Sequence, residues 1–201
     1  MIGEKFIEKC LNNGIVNDPW PHQIIKDTLP AKDFDTLRRE CESLDVPKDK
    51  LVHIHPREFD DHKISFYDQI HDISTKIKEN AKQLCEMFPA YRWFKDLSVN
   101  AHISITPPLP WKFYIHQEGL EKTWSSVTYI SPENNIGTKM YTRQHEDAFV
   151  KEAEWKPNST FIFCGNEGKT WHSYESDQLT NRITFNLFIM KYREQKCFYS
   201  E

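Results

Sequence analysis

The hydrophobic residues in the first half of the chain recur at helical spacing. After Pro30, the first apolar stripe consists of Phe34, Leu37, Cys41 and Leu44. It predicts a short amphipathic helix with proline in its first turn. The second, longer stripe consists of Phe66, Ile70, Ile73, Ile77, Ala81, Leu84 and Phe88. Because Ser65 stands where a cap is expected and Pro89 where a helix ends, this stripe predicts one long helix.

From about residue 97 the apolar spacing changes from helical to alternating. One face of the first predicted strand holds Leu97, Val99, Ala101, Ile103 and Ile105. Short strand-like runs then continue towards the C-terminus, separated by turn-rich pieces such as SPENNIG: WKFYIHQE, WSSVTYIS, GTKMY, STFIFC, KTWHSYE and RITFNLFIM. Helices first and strands later predict an α+β fold with a sandwich or jelly roll. We expect one domain over residues 1–201, with mainly helical support at 1–96 and the β core at 97–201.

Charge and cysteine usage narrow the class of partner. The formal net charge of -4 gives no electrostatic footprint for phosphate backbones or anionic membranes, so we expect neither nucleic acid nor a membrane as partner. The five cysteines stand singly, without a CxxC pair, which is typical of reduced thiols. The N-terminus lacks the apolar core of a signal peptide, and no stretch approaches the roughly 20 apolar residues of a membrane span. These features predict a cytoplasmic protein, and they carry no signal for its oligomeric state.

Two potential metal ligands stand two residues apart in the run WKFYIHQE. If this run is a strand, alternation places Tyr114, His116 and Glu118 on one face. A His and a carboxylate at this spacing are about 7 Å apart along the chain, so both can reach one ion, as a 2-His-1-carboxylate site requires. The second histidine has to come from elsewhere, and in KTWHSYE the residue His172 shares a face with Thr170 and Tyr174.

The last predicted strand, RITFNLFIM, has a polar face and an apolar face. Arg182, Thr184 and Asn186 alternate with Ile183, Phe185, Leu187 and Ile189. A hairpin through SDQLTN would bring Arg182 back beside the strand that carries His172. Because a guanidinium meets a carboxylate with two hydrogen bonds and keeps its charge, the pattern predicts an anion clamp near the metal. Thr184 could add a hydroxyl to the same carboxylate.

At these residues the chain resembles the Fe(II)/2-oxoglutarate-dependent dioxygenase superfamily, and within it the prolyl-hydroxylase-like branch. The family pattern of HxD/E, a distal His and an Arg followed by xS/T is matched by His116-Gln117-Glu118, His172 and Arg182-Ile183-Thr184. The runs VTYIS and GTKMY are similar to other strands of that family, as is the opening NDPWPHQIIKDTLP. The resemblance therefore covers most of the chain. It implies a double-stranded β-helix (jelly roll, cupin-like) core buttressed by the N-terminal helices.

The resemblance also implies cofactors and roles. It implies Fe(II) on His116, Glu118 and His172, and 2-oxoglutarate held by Arg182 and Thr184, with O2 as the oxidant. The implied reaction is hydroxylation of a small-molecule or peptide substrate, amino-acid or peptidyl and including prolyl groups, with release of succinate and CO2. Two weaker correspondences add Tyr129 as a contact to the 2-oxoglutarate carboxylate and Met140 as a contact to its carbon chain. The commoner carboxylate ligand of the family is Asp, and Glu118 is longer by one methylene.

Other interpretations of the same residues remain open. A jelly-roll binding module, non-catalytic or differently metallated, is the alternative to an oxygenase, because a misplaced Glu118 would leave iron unable to activate oxygen. A metal-dependent isomerase or hydrolase on the same fold does not require Arg182 and Thr184 where they stand. His53 and His55 form a second HxH, with His62 nearby, and predict either a rival zinc or iron site or part of the pocket entrance.

Overall fold

The chain forms four α-helices, two short 3-10 helices (Pro56–Glu58 and Glu146–Ala148) and nine strands within the residues that the computed structural model describes. These residues are 1–89, 91–166, 168–177 and 179–192, so Cys197 lies outside them. The helices are α1 (Ile2–Asn12), α2 (Ala31–Glu42), α3 (Tyr67–Glu79) and α4 (Ala81–Glu86). The strands are β1 (His22–Ile25), β2 (Val52–Ile54), β3 (Leu97–Thr106), β4 (Lys122–Ser131), β5 (Thr138–Tyr141), β6 (Phe149–Ala153), β7 (Thr160–Cys164), β8 (Trp171–Ser173) and β9 (Arg182–Lys191). None of these helices is long and apolar enough to cross a membrane.

The strands form two antiparallel sheets. The larger sheet has six strands in the order β1-β7-β4-β9-β3-β2, and the smaller has three in the order β6-β5-β8. Helices therefore precede most of the strands, and every strand pair is antiparallel. This arrangement confirms the mixed helical and antiparallel-sheet architecture that the change of apolar period predicts.

The large sheet presents a different chemistry on each of its faces. Along β9, Ile183, Phe185 and Leu187 are buried in the main core, which they share with residues of the helices. Residues from both sheets form a second apolar cluster, and its members are Trp20, Tyr129, Met140, Ala153, Trp155, Phe161 and Phe163. The polar face of β9 therefore lies on the side of the large sheet that meets the small one, which is where the functional candidates collect.

Two helical segments differ from the sequence-based expectation. The predicted long helix is divided at Asn80 into α3 and α4. The Asn80 side chain donates to the Lys76 carbonyl at 2.9 Å, and such local bonding by Asn competes with the helical ladder. Ser65 does not cap the helix, because its hydroxyl donates to Glu40. Helix α1, which buries Phe6 and Cys10, was not predicted.

Two predictions about strands were wrong, although His116, Glu118, His172 and Arg182 still lie around one cavity. The run 111–118 is irregular and makes only isolated bridges, at Lys112 and His116. Tyr114 is 66% exposed whereas Glu118 is buried, so the two side chains do not share a face. The expected hairpin between the strands of His172 and Arg182 is also absent, because β8 belongs to the small sheet and β9 to the large one. The connecting chain crosses between the sheets, and Arg182 faces the site from the opposite side.

Candidate active site

A cavity of about 230 Å³ brings together five of the residues singled out from sequence. His116, Glu118 and His172 line it together with Arg182 and Thr184. The small sheet contributes His172 from β8, and the large sheet contributes Arg182 and Thr184 from β9. His116 and Glu118 come from the irregular segment that precedes β4. The predicted metal ligands and the predicted clamp therefore share one cavity.

The two histidines are held as a pair by their own backbones. The His116 N–H donates to the His172 carbonyl at 3.0 Å, and the reverse bond is 2.8 Å. Their ring centroids lie 4.2 Å apart. This bridge places both imidazoles side by side without a continuous strand.

Backbone carbonyls determine which ring nitrogen of each histidine is free. His116 Nδ1 lies 3.0 Å from the Tyr114 carbonyl and His172 Nδ1 lies 2.9 Å from the Thr170 carbonyl. Because a carbonyl only accepts, each Nδ1 carries the proton and each Nε2 keeps its lone pair. Burial lowers the pKa of His116. The pKa of His172 is lowered to about 4, mainly by burial and to a smaller extent by the nearby His116. Both are neutral imidazoles of the kind that bind a transition metal.

Glu118 is a buried carboxylate that already has two partners. The Ser125 hydroxyl donates to its Oε1 at 2.7 Å, and the Lys122 ammonium lies 2.8 Å from its Oε2. Burial alone would raise the pKa of Glu118, but Lys122 and Ser125, with His172, more than offset that effect and lower it. The carboxylate is therefore ionised and turned towards Lys122. Within the described residues, no three His, Cys, Asp or Glu side chains are arranged to hold an ion as they stand.

Arg182 is a buried guanidinium without a carboxylate at ion-pair distance among the described residues. It is 3% exposed, and its Nε donates to the Ile136 carbonyl at 3.3 Å. Its Cζ lies 4.8 Å from the Tyr174 ring centroid and 4.9 Å from that of Trp155. Burial lowers the pKa of this side chain. Because buried charges are normally paired, an unpaired guanidinium facing a cavity indicates a site for an anion.

Tyr129 and Met140 lie beside the cavity and are not among its lining residues. The Tyr129 hydroxyl donates to Thr138 Oγ1 at 3.0 Å and accepts from the Thr138 N–H at 3.1 Å. Met140 is fully buried, opposite His172 in the register of β5 and β8. Thr138 and Tyr174 do line the cavity. Sequence reasoning assigned them no role, although Tyr174 could have been found because it shares a predicted face with His172.

Lys122 and His102 are among the further lining residues that sequence reasoning did not assign to the site. Of the second HxH, His53 lines the cavity while His55 and His62 do not. His102 lines it as well. The HxH therefore contributes to the pocket wall through His53 alone.

Comparison with known proteins gives matches only at the level of structure. No family model matches the chain, and no curated protein matches its sequence. A prolyl hydroxylase from Trichoplax adhaerens, solved with a hypoxia inducible factor peptide fragment, is 12% identical with a TM-score of 0.60. The match covers 94% of this chain and 89% of that one.

Two further prolyl hydroxylases are similar over almost their whole length. The viral collagen prolyl hydroxylase of Paramecium Bursaria Chlorella virus-1, solved as a 2OG complex, is 12% identical with a TM-score of 0.54, and the match covers 89% of this chain and 99% of that one. A Pseudomonas putida prolyl-4-hydroxylase is 15% identical with a TM-score of 0.50, and the match covers 96% and 100%. At these identities the likeness establishes the fold. The resemblance to the prolyl-hydroxylase-like branch is thereby confirmed as a likeness of fold.

Proposed function

We propose that this chain is an Fe(II)- and 2-oxoglutarate-dependent oxygenase that hydroxylates an amino-acid or peptidyl substrate, releasing succinate and CO2. The observation that carries the proposal is the unpaired, buried guanidinium of Arg182 in the same cavity as two neutral imidazoles and an ionised carboxylate. Two imidazoles and a carboxylate are the ligand set of non-haem Fe(II) oxygenases. The donor chemistry present therefore fits both the metal and an oxo acid.

Each residue has a separate task in the proposed site. The Nε2 atoms of His116 and His172 hold the metal, and Glu118 completes the ligand set by turning part of its carboxylate away from Lys122. Arg182 and Thr184 hold the distal carboxylate of 2-oxoglutarate. When bound, iron and 2-oxoglutarate would supply the oxidising chemistry with O2. The protein supplies the orientation of these groups around one cavity.

The proposal includes roles for Tyr129 and Met140 and an interpretation of the whole chain. Tyr129 would reach the oxo-acid carboxylate by sharing its hydroxyl, which now bonds to Thr138, and Met140 would support the site from behind His172.

We interpret the two sheets as the double-stranded β-helix core of one domain over residues 1–201. We place the protein in the cytoplasm, a proposal that the free thiols of the four described cysteines support.

The likeness in fold supports a peptide substrate as one possibility within this proposal. The Trichoplax adhaerens enzyme was solved with a peptide fragment. For this chain a peptidyl or amino-acid substrate, prolyl groups included, is accordingly part of the proposed function.

One observation favours a second candidate, a metal-binding module without oxygenase activity. Glu118 is held by Lys122 and Ser125 and does not join the two histidines. If those two partners hold the carboxylate more strongly than a metal does, the site would keep only two protein ligands. Metal binding without turnover of 2-oxoglutarate would be the result.

Anaerobic titration of the Fe(II)-loaded protein with 2-oxoglutarate separates the two candidates. An oxygenase site should give a visible metal-to-ligand charge-transfer band, and Arg182→Met should require more 2-oxoglutarate for the same band. Arg38→Met is the matched control, because Arg38 lies on α2 and pairs with Glu42 at the surface. Iron that binds without producing the band would support the binding module.

A further inference from the structure

One wall of the cavity has no part in the proposed metal and oxo-acid chemistry. It is built where β2, β3 and β9 lie side by side, with His53 opposite Ser104 and His102 opposite Asn186. All four of these side chains line the cavity. The ring centroids of His53 and His102 are 4.7 Å apart. The wall is therefore a compact polar group next to the candidate metal ligands.

A chain of hydrogen bonds determines where the protons of this wall lie. Asn186 Nδ2 donates to Ser104 Oγ at 2.8 Å and lies 3.3 Å from His102 Nε2. An amide nitrogen only donates, so His102 Nε2 accepts and the ring proton is on Nδ1. Ser104 Oγ, having accepted from Asn186, has its own proton to donate, and His53 Nδ1 lies 2.9 Å away. In the arrangement that we propose, this hydroxyl donates to His53 Nδ1, and the His53 ring proton is then on Nε2.

One of the two histidines has a buried ring nitrogen that the protein leaves without a partner, which is His102 Nδ1. His53 is exposed, and its ring bonds to Ser104 through Nδ1. Burial lowers the pKa of His53, and burial together with His53, His55 and Lys122 lowers the pKa of His102 to about 3. Both rings are neutral near pH 7, and the buried His102 donor is costly until a ligand supplies an acceptor.

The charge of the cavity favours an anion as that acceptor. Lys122 Nζ lies 3.8 Å from the Phe188 ring centroid, and the His102 ring centroid is 5.5 Å from the same ring. Arg182 and Lys122 are the cations of the described lining, and Glu118 is its carboxylate. The charges of a divalent metal and a dianionic oxo acid cancel each other. The two cations and the one carboxylate of the lining then leave a net charge of one positive unit in the cavity.

We propose that His53 and His102 bind a carboxylate of the oxidised substrate, through His53 Nε2–H and His102 Nδ1–H, with Lys122 as the nearby countercharge. Within the proposed function, whose substrate is an amino acid or a peptide, this carboxylate is that of a free amino acid or of a peptide C-terminus. The proposal rests on the proposed function, because only that function makes the bound carboxylate part of a substrate. Binding of a carboxylate at this wall is measurable without iron, oxygen or 2-oxoglutarate.

Arg182→Met is the background for the test, because it removes the other anion site from the cavity. The probes are N-acetyl-L-alanine, its neutral amide N-acetyl-L-alaninamide, and free L-alanine. Binding is followed by long-range ¹H–¹⁵N NMR of the histidine rings, which also reports the tautomer of each ring. His53→Phe and His102→Phe remove a donor while keeping a ring, so one remains informative if the other fails to fold. His71→Phe is the control, because His71 is exposed and does not line this cavity.

The expected result is that a carboxylate probe binds at least about tenfold more tightly than the amide, and that His53→Phe and His102→Phe each remove about tenfold of that affinity. The rings should show His102 with its proton on Nδ1 and His53 with its proton on Nε2. Tighter binding of free L-alanine would assign a free amino acid, and tighter binding of N-acetyl-L-alanine a peptide C-terminus.

Equal affinity for the carboxylate and the amide would overturn the proposal, as would the opposite tautomers or unchanged affinity in both histidine variants. The charge-transfer titration on the wild-type protein is a separate measurement. A failure of the histidine wall therefore leaves the oxygenase proposal standing, and a missing charge-transfer band leaves the carboxylate site testable.

Discussion

Replacing Arg182 with methionine should stabilise the metal-free protein while weakening its binding of 2-oxoglutarate. Arg182 is 3% exposed, and its Nε bonds to a carbonyl at 3.3 Å. No carboxylate of the described residues offsets its charge at short range, although Glu152 acts on it from farther away. A buried charge with this cost is better explained by an anion that pairs with it than by the stability of the empty protein.

The magnitude follows from three opposing contributions. Burying an unpaired charge costs several kcal/mol even after relaxation. Methionine loses one hydrogen bond, worth about 1 kcal/mol, and the contact of the guanidinium with the Trp155 and Tyr174 rings, worth about 1–2 kcal/mol. It also packs well against those rings. We expect a net increase of about 1–3 kcal/mol in the free energy of unfolding.

Urea unfolding of the metal-free protein, followed by circular dichroism, measures this change. A second series on Zn(II)-loaded protein, with and without 2-oxoglutarate, measures the response to the ligand. At a ligand concentration of 100 times the wild-type Kd, the wild type should gain about 2.7 kcal/mol, and Arg182→Met should gain clearly less because its affinity for 2-oxoglutarate is weaker. Arg38→Met, which removes surface ion pairs to Glu42 and Glu133, should lose less than about 1 kcal/mol. If Arg182→Met instead loses stability without ligand, the guanidinium is a structural element and the reasoning about an anion site fails.

Three further predictions concern the two histidine ligands, Lys122 and His102. His116→Ala and His172→Ala should each abolish tight Mn(II) binding in isothermal titration calorimetry, and tight binding retained by both variants would refute the assigned ligands. Lys122→Met should bind Mn(II) about threefold to tenfold more tightly, because the ammonium repels the ion and competes for Glu118; weaker binding would mean that Lys122 positions that carboxylate for the metal. His102 has a pKa of about 3 in the fold against an ordinary 6.5, so the unfolded chain takes up the proton first and stability falls as the pH drops below about 6.5. Between pH 7 and pH 5 the wild type should lose about 1–2 kcal/mol more than His102→Phe, and equal losses in urea unfolding would contradict the buried neutral ring.

The sequence predicted the large features because each has a strong periodic signal. The alternation on β9 places Arg182, Thr184 and Asn186 on the cavity side, as expected. The fold follows from the same patterns and is the fold of the prolyl hydroxylases to which the chain is similar. Periodicity reports which face of an element is apolar, so the side of the sheet that carries the site was predictable.

The partners of individual side chains had no such signal. Nothing in the spacing says that β8 and β9 belong to different sheets, so the expected hairpin was wrong, although Arg182 and His172 line the same cavity. The contact between Lys122 and Glu118 depends on an irregular loop, whose path is determined by tertiary packing. The break at Asn80 likewise depends on a single side-chain hydrogen bond that competes with the helix.

The length of Glu118 has a structural reason in the way this loop is packed. Gly165 lies so close that a Cβ there would be 3.3 Å from the Glu118 Cβ and 3.1 Å from the Lys122 carbonyl oxygen. The backbone that carries Glu118 is thus pressed against the end of β7. From that position its carboxylate reaches the Ser125 hydroxyl and the Lys122 ammonium. Aspartate would be shorter by about one bond and would have to give up one of these contacts or move the backbone away from Gly165. The extra methylene therefore suits a carboxylate that contacts Lys122 and Ser125 and that, in the proposed function, would also reach a metal from one fixed stretch of backbone.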